Sequence, residues 1–271
     1  MKREAGRGIF FLYIVAAATA IVTVLLTRFG GRPELLERMT VEGAPFETAT
    51  ALSLALLGLW CLLRRTWYWR AFGLLLILGA LEEISWGQRL LGFETPLWLK
   101  GANYQEEANL HNLMDSEVFS ALVLVPVHIA FVYVPLAFTL WPRLRALPLA
   151  NRVPAQLIPS PHTTLIFCFG WGLHAWWMPA AAADSAALLV ALVLVAFACV
   201  RGPAWRAYGV RMHYALVCIA TLIFAMSAGI YRYYNMQYEI RELFVVIGFA
   251  YWLTAWAGRG RFMRLENAEV A

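Results

Sequence analysis

Long apolar stretches separated by short polar segments run along the whole chain. Eight of them approach or exceed the ~20 residues that an α-helix needs to cross a hydrocarbon core of ~30 Å. They cover residues 9–27, 48–63, 71–91, 118–141, 163–180, 185–200, 212–230 and 240–257. In lipid no water is present to bond the backbone N–H and C=O groups, so a spanning segment must be a helix or a strand of a closed barrel. None of the stretches alternates with the two-residue period of a barrel strand. The pattern predicts an all-α fold, a polytopic membrane helix bundle with about eight transmembrane helices.

The distribution of charge favours one orientation of these helices. With a cytoplasmic amino terminus, fifteen of the 22 Lys and Arg residues fall in cytoplasmic segments, where positive charge collects near span ends. The acids show the opposite bias, because only Glu4, Glu266 and Glu269 of the seventeen lie on that side. We therefore expect both termini in the cytoplasm. The first stretch is too long for the apolar core of a signal peptide, so we expect it to remain in the protein.

Composition narrows the functional classes further. Of the 271 residues, 61% are hydrophobic and 14% charged, against about 25% charged in soluble domains, which excludes a disordered or water-soluble chain. The net charge of +5 comes from basic residues scattered between apolar runs, so we expect no nucleic-acid partner. The four cysteines lie within apolar runs without metal-ligand spacing, and we interpret them as small core residues.

No internal repeat is visible and no boundary suggests a second domain, so we expect a single integral membrane domain over residues 1–271. The longest predicted outer loop, 92–117, carries Trp98 and Tyr104, whose amphipathic rings are typical of the headgroup level. We expect this loop to lie on the membrane or to fold over the bundle as a lid.

Two adjacent acids in the stretch 71–91 form the first candidate site. Glu82 and Glu83 lie roughly 17 Å along that helix, near the membrane midplane, where a charged side chain is costly and marks function by default. Trp86 and Arg89 share a helix face with Glu82. A catalytic carboxylate, and a structural one paired with Arg89 or with a Trp N–H, both remain open.

Other polar groups are expected in the same outer half of the bundle. His174 comes to a similar depth, although it also fits a core histidine that hydrogen-bonds across helices. The loop places Glu107 and His111 at i,i+4, with Asn109 between them. Further candidates stand at the start of the last stretch, namely Arg232, Glu239 and Glu242.

The three remaining histidines carry less weight. His128 has no polar neighbours along the chain. His162 and His213 fall at the cytoplasmic interface, where we expect them to be solvated. None of the three is included in the predicted site.

Carboxylates and imidazoles in low-dielectric surroundings suit acid-base chemistry or cation binding. Glu82, Glu83, His111 and His174 are the predicted catalytic residues. A divalent metal is an open option for the cofactor, and its candidate ligands are Glu83, His111, His174 and Glu239. Substrate contacts are predicted for Trp86, Arg89, Glu107, Asn109, Arg232, Glu239 and Glu242.

Two resemblances bear on these residues. The stretches LEEISWGQRLLGFETP and NYQEEANLHNL, within residues 81–113, resemble a signature of bacterial multi-pass membrane proteins with no assigned function. This resemblance implies a bacterial cytoplasmic (inner) membrane but no reaction. A looser likeness links the chain to the CAAX-type glutamate intramembrane proteases, which carry EExxxR, FxxxH and HxxxN or HxxxD. Arg89 comes two positions too late for that pattern, and His174 follows the HxxxD pair of His111 and Asp115 instead of preceding it.

Three classes of function fit these observations. The first is a membrane-embedded hydrolase or transferase that acts on a lipid or lipid-linked substrate. No HExxH, GxSxG or Gly-rich phosphate loop is present, so enzyme activity itself stays an open expectation. The second is a proton- or cation-coupled transporter, and the third is a scaffold or assembly subunit. Membrane lipid is the expected partner, while the substrate and the oligomeric state stay open.

Overall fold

The computed structural model describes residues 2–30, 45–100, 113, 116–175, 182–227 and 240–255, and all regular structure in these ranges is helical. The longer helices are α1 (Lys2–Gly30), α2 (Pro45–Leu62), α3 (Trp67–Glu83), α4 (Ser116–His128), α5 (Val134–Leu140), α6 (Pro161–His174), α7 (Ala182–Arg201), α8 (Tyr208–Met226) and α9 (240–255). By chain contacts the protein forms two compact units, residues 38–126 and residues 1–37 with 127–271. The boundary falls within α4.

Among the described residues, four helices are long and apolar enough to cross a membrane, namely Gly6–Thr27, Ala121–Leu140, Ala182–Arg201 and Tyr208–Met226. Phe46–Leu62 is apolar but shorter. Large apolar side chains stand exposed along these helices, among them Phe11, Leu52, Val193 and Leu222. Such a surface suits contact with lipid tails, so the described helices are compatible with the predicted helical membrane protein.

The unit of residues 38–126 is built on an α2–α3 hairpin in which two glycines meet. A Cβ added at Gly73 would lie 2.7 Å from the carbonyl oxygen of Gly58, so only hydrogen atoms fit between the helices at this point. Trp69 is 1% exposed and forms part of the buried face of α3. Small residues at such crossings let two backbones approach closely, which holds apolar helices together where burial from water cannot.

The predicted helix over 71–91 is not continuous. α3 ends at Glu83, and the backbone turns through Ser85, Trp86 and Gly87 before a short helical turn at Gln88–Leu91. All three turn residues have positive φ angles, which are incompatible with a right-handed helix. The expectation of one helix through this stretch was therefore wrong.

In the other unit α6 is buried along its length, from Thr163 to Leu173. It packs on α8 and α9, and glycines again mark the closest contacts. A Cβ at Gly170 would lie 2.8 Å from Cβ of Phe244, and a Cβ at Gly248 would lie 2.7 Å from the Phe167 ring. The predicted stretch 163–180 is described as helix only to His174, since residues 176–181 lie outside the described part.

A π-helical turn, Ile129–Tyr133, joins α4 to α5. Pro135 has no N–H to donate to the carbonyl of Phe131, and that carbonyl accepts a hydrogen bond from the Thr164 hydroxyl at 2.9 Å instead. The Tyr133 hydroxyl donates to the carbonyl of Ala187 at 2.7 Å. These two bonds attach the turn to α6 and to α7.

Candidate functional site

The end of α3 brings together three of the predicted site residues. Glu82 and Glu83 are its last two residues, and the indole N–H of Trp86 donates to Oε1 of Glu82 at 2.6 Å. Glu82 and Glu83 are both half-buried, while Trp86 is 38% exposed. A carboxylate acceptor shortens and strengthens such a bond, so the indole fixes the position of one Glu82 oxygen.

The backbone after these acids is strained. Ser85 and Trp86 have φ angles of 47° and 54°, and left-handed geometry costs a residue with a side chain roughly 1–2 kcal/mol. Gly87, at φ 82°, adopts the same region without that cost. Strain of this kind is concentrated at functional sites, where the surrounding structure holds it in place.

The following segment is held against this turn by side-chain contacts. The amide of Gln88 donates to the hydroxyl of Thr95 at 2.8 Å, and Thr95 is 4% exposed. Beyond it, Lys100 and Glu94 form an exposed ion pair with 3.2 Å between Nζ and Oε2. The first part of the predicted lid, residues 92–100, is thus anchored through Thr95 to Gln88, two positions after Trp86.

Several predicted residues cannot be placed. Five of them lie outside the described residues, namely Glu107, Asn109, His111, Arg232 and Glu239. His174 ends α6 and Arg89 lies in the short turn after Gly87, but the structure describes only their backbone. The predicted convergence of Glu83 with His111, His174 and Glu239 therefore stays a prediction.

Glu242, predicted to contact substrate, has a close neighbour of its own. Its Oε1 lies 3.7 Å from Nη2 of Arg241, and the Arg241 side chain is 3% exposed. A buried guanidinium requires a negative charge nearby, so the carboxylate of Glu242 helps to keep Arg241 in the protein interior. Within the described residues, no three His, Cys, Asp or Glu side chains are grouped to hold a metal ion.

The prediction that His162 and His213 are solvated was wrong. His213 is 4% exposed, and His162 is half-buried. Their Nδ1 atoms lie 3.0 Å apart, and Nε2 of His213 lies 2.8 Å from the hydroxyl of Tyr13, which is fully buried. We call Tyr13, His213 and His162 the imidazole network.

Local sequence explains how His162 is placed, and the other two residues of the network lie on separate helices. The Ser160 side chain accepts a hydrogen bond from the Thr163 amide and Pro161 opens α6, so His162 is fixed in the first turn of that helix. His213 lies in the second turn of α8, and Tyr13 in the first half of α1.

Aromatic rings enclose the imidazole network. The ring of Phe10 meets both imidazoles edge to face, with centroids 5.2 Å from His162 and 5.4 Å from His213. Phe169 and Phe244 pack on Tyr13, and Tyr251 of α9 lies 6.5 Å from His162. No local signal joins these residues, because Tyr13 and His213 are 200 positions apart in the chain.

The burial of Tyr13 sets the direction of these hydrogen bonds. Among the described residues, the Tyr13 hydroxyl hydrogen-bonds only to His213. If Tyr13 accepted that bond, its own hydrogen would be buried without an acceptor, at a cost of about 1–3 kcal/mol. In the neutral network Tyr13 therefore donates to Nε2 of His213, and the Nδ1–H of His213 donates to Nδ1 of His162.

His128 also has a close neighbour that its sequence context did not indicate. Its ring stacks on Trp171 with centroids 3.8 Å apart and planes at 11°. It is 6% exposed, which suits a core histidine in this unit.

Comparison of the chain with family models, with curated proteins and with solved structures finds no match.

Proposed function

We propose that the protein is a membrane-embedded hydrolase or transferase that acts on a lipid or lipid-linked substrate at the end of α3. The observation that carries this proposal is the Glu82–Glu83 pair, followed at once by a strained turn that directs the Trp86 N–H onto Glu82. In this proposal Glu82 and Glu83 supply the general base and acid, and His111 joins them from residues 92–117. The apolar helix surfaces and the anchored segment after the turn are consistent with a substrate that arrives from lipid.

The membrane arrangement is part of the same proposal. Eight spans with both termini in the cytoplasm place the α3 end, Glu94 and Lys100 on the outer side of a bacterial inner membrane. The excess of Lys and Arg in the inner segments supports this orientation. The substrate would then be present in the outer leaflet.

Glu82→Gln and Glu83→Gln variants test the activity. We expect the wild-type protein in nanodiscs to convert one lipid class of a bacterial membrane extract, followed by mass spectrometry. Each variant should lower that rate by about 10²-fold or more, because a glutamine can neither take nor give the proton.

Glu94→Gln is the matched control, since Glu94 belongs to the same unit but is 90% exposed and paired with Lys100. It should keep the wild-type rate. Full activity in both site variants would contradict the proposal, as would loss of folding in both, which would assign the acids a structural role.

A proton-coupled transporter is the second candidate, and the imidazole network favours it. Buried chains of titratable side chains are typical of proton relays in pumps and carriers. Substrate uptake into proteoliposomes that requires a pH gradient, and that is lost in His213→Gln, would favour this function over the enzyme.

A further inference from the structure

We propose that the imidazole network binds a single proton, and that binding reverses the hydrogen bond between His213 and Tyr13. This site lies in the unit of residues 1–37 and 127–271, apart from the α3 end in the chain, and it goes beyond the proposed activity. Its ligand is a hydrogen ion taken from water through His162, the half-buried member of the network.

The short distance between the two rings limits how many hydrogens they can carry. With the Nδ1 atoms 3.0 Å apart, one hydrogen fits between them, and one Nδ1 must keep its lone pair. In the neutral network that hydrogen belongs to His213, and the second ring hydrogen is on Nε2 of His162.

Proton uptake adds one N–H bond and one positive charge to the pair. In the protonated network His162 carries hydrogens on both ring nitrogens and His213 carries its single ring hydrogen on Nε2, so that Nδ1 of His213 accepts from the Nδ1–H of His162. That Nε2–H points at the Tyr13 oxygen 2.8 Å away, and Tyr13 changes from donor to acceptor. No bond to carbon changes, and the proton gained from water accounts for the added charge.

The surroundings oppose a second proton. In the part of the chain that the structure describes, the other titratable groups that face the network are Cys168 of α6, which lies near Tyr13, and Tyr251 of α9. Neither is negatively charged at neutral pH. Two imidazolium ions would place N–H against N–H with no carboxylate among the described neighbours to compensate, so the pair stops at one proton.

Nitrogen NMR of the full-length protein, labelled with ¹⁵N-histidine in nanodiscs, tests this proposal from about pH 8 to about pH 4.5. At high pH we expect His213 to carry its hydrogen on Nδ1. A scalar coupling between the Nδ1 nuclei of His213 and His162 should then be detected across their hydrogen bond. At low pH exactly one ring of the pair should become imidazolium, and the His213 hydrogen should appear on Nε2.

Tyr13→Phe keeps the aromatic ring and removes the hydroxyl. Because nothing then distinguishes the two tautomers at Nε2, we expect neutral His213 to show a mixture of both, while the His128 signals stay unchanged as an internal control. Two independently titrating imidazoles, or an unchanged His213 tautomer across the pH range, would overturn the proposal. The wild-type spectra decide the outcome even if this variant does not fold.

Discussion

At the scale of single residues, the α3 end shows what helical spacing can and cannot reveal. The i,i+4 spacing of Glu82 and Trp86 predicted a shared face, and the two side chains do meet. The spacing could not reveal that the helix stops between them, since positive φ angles at Ser85 and Trp86 depend on the surrounding structure.

Gly87→Ala tests the left-handed turn. Among the described atoms, a Cβ at this position comes within 4 Å of the Leu91 side chain alone, at 3.7 Å, so space is available and the cost is conformational. We expect the free energy of unfolding to fall by about 1–2 kcal/mol in a denaturant titration in mixed micelles. Gly79→Ala, inside α3 and 3.5 Å from Leu54, is the control and should be neutral or slightly stabilising. Equal effects of the two substitutions would contradict the assigned turn geometry.

The imidazole network was beyond residue-level prediction for a different reason. His162 is the last residue of one predicted inner segment and His213 lies just after another, where the charge pattern favours solvated side chains. Only the packing of α1, α6 and α8 brings Tyr13 to them, and no periodicity in the sequence encodes which helices become neighbours.

At the scale of helices, apolar length located most elements well. The stretches 9–27, 48–63, 185–200 and 212–230 fall within or close to α1, α2, α7 and α8. Length alone did not show the break after Glu83, because Leu90 and Leu91 keep the stretch apolar beyond it. It also did not show which glycines mark helix contacts, since this depends on the face that each helix presents.

Gly73→Ala tests the α2–α3 hairpin. The added methyl would lie 2.7 Å from the Gly58 carbonyl oxygen and 3.0 Å from Cβ of Cys61, so α2 must move away. We expect about 1–3 kcal/mol of lost stability, measured by the same micelle titration. Because Gly79→Ala lies on the same helix, it separates this clash from the general effect of an alanine. A stable Gly73→Ala protein would show that the hairpin is looser than described.

At the scale of the whole molecule, the charge pattern makes a prediction about sidedness. Glu94→Cys should react with a membrane-impermeant maleimide in intact cells, whereas Arg143→Cys should react only after permeabilisation, because both positions are exposed and the proposed topology assigns them to opposite sides of the membrane. Background labelling should be low, since Cys61, Cys168 and Cys199 are buried and the half-buried Cys218 lies within α8; the unsubstituted protein measures it. Labelling of Arg143→Cys in intact cells would reverse or refute the proposed topology.

In the proposed topology, the short reach of α3 would also affect the membrane around it. Seventeen residues extend about 25 Å, less than the ~30 Å of a typical hydrocarbon core. A bilayer matched to this helix must become thinner around it, or water must enter above its last turn. In the proposed orientation, phospholipid headgroups next to this helix would move inward towards Glu82 and Glu83. Local thinning of the membrane would thus bring the polar bonds of the headgroups to two acids that otherwise lie below the lipid surface.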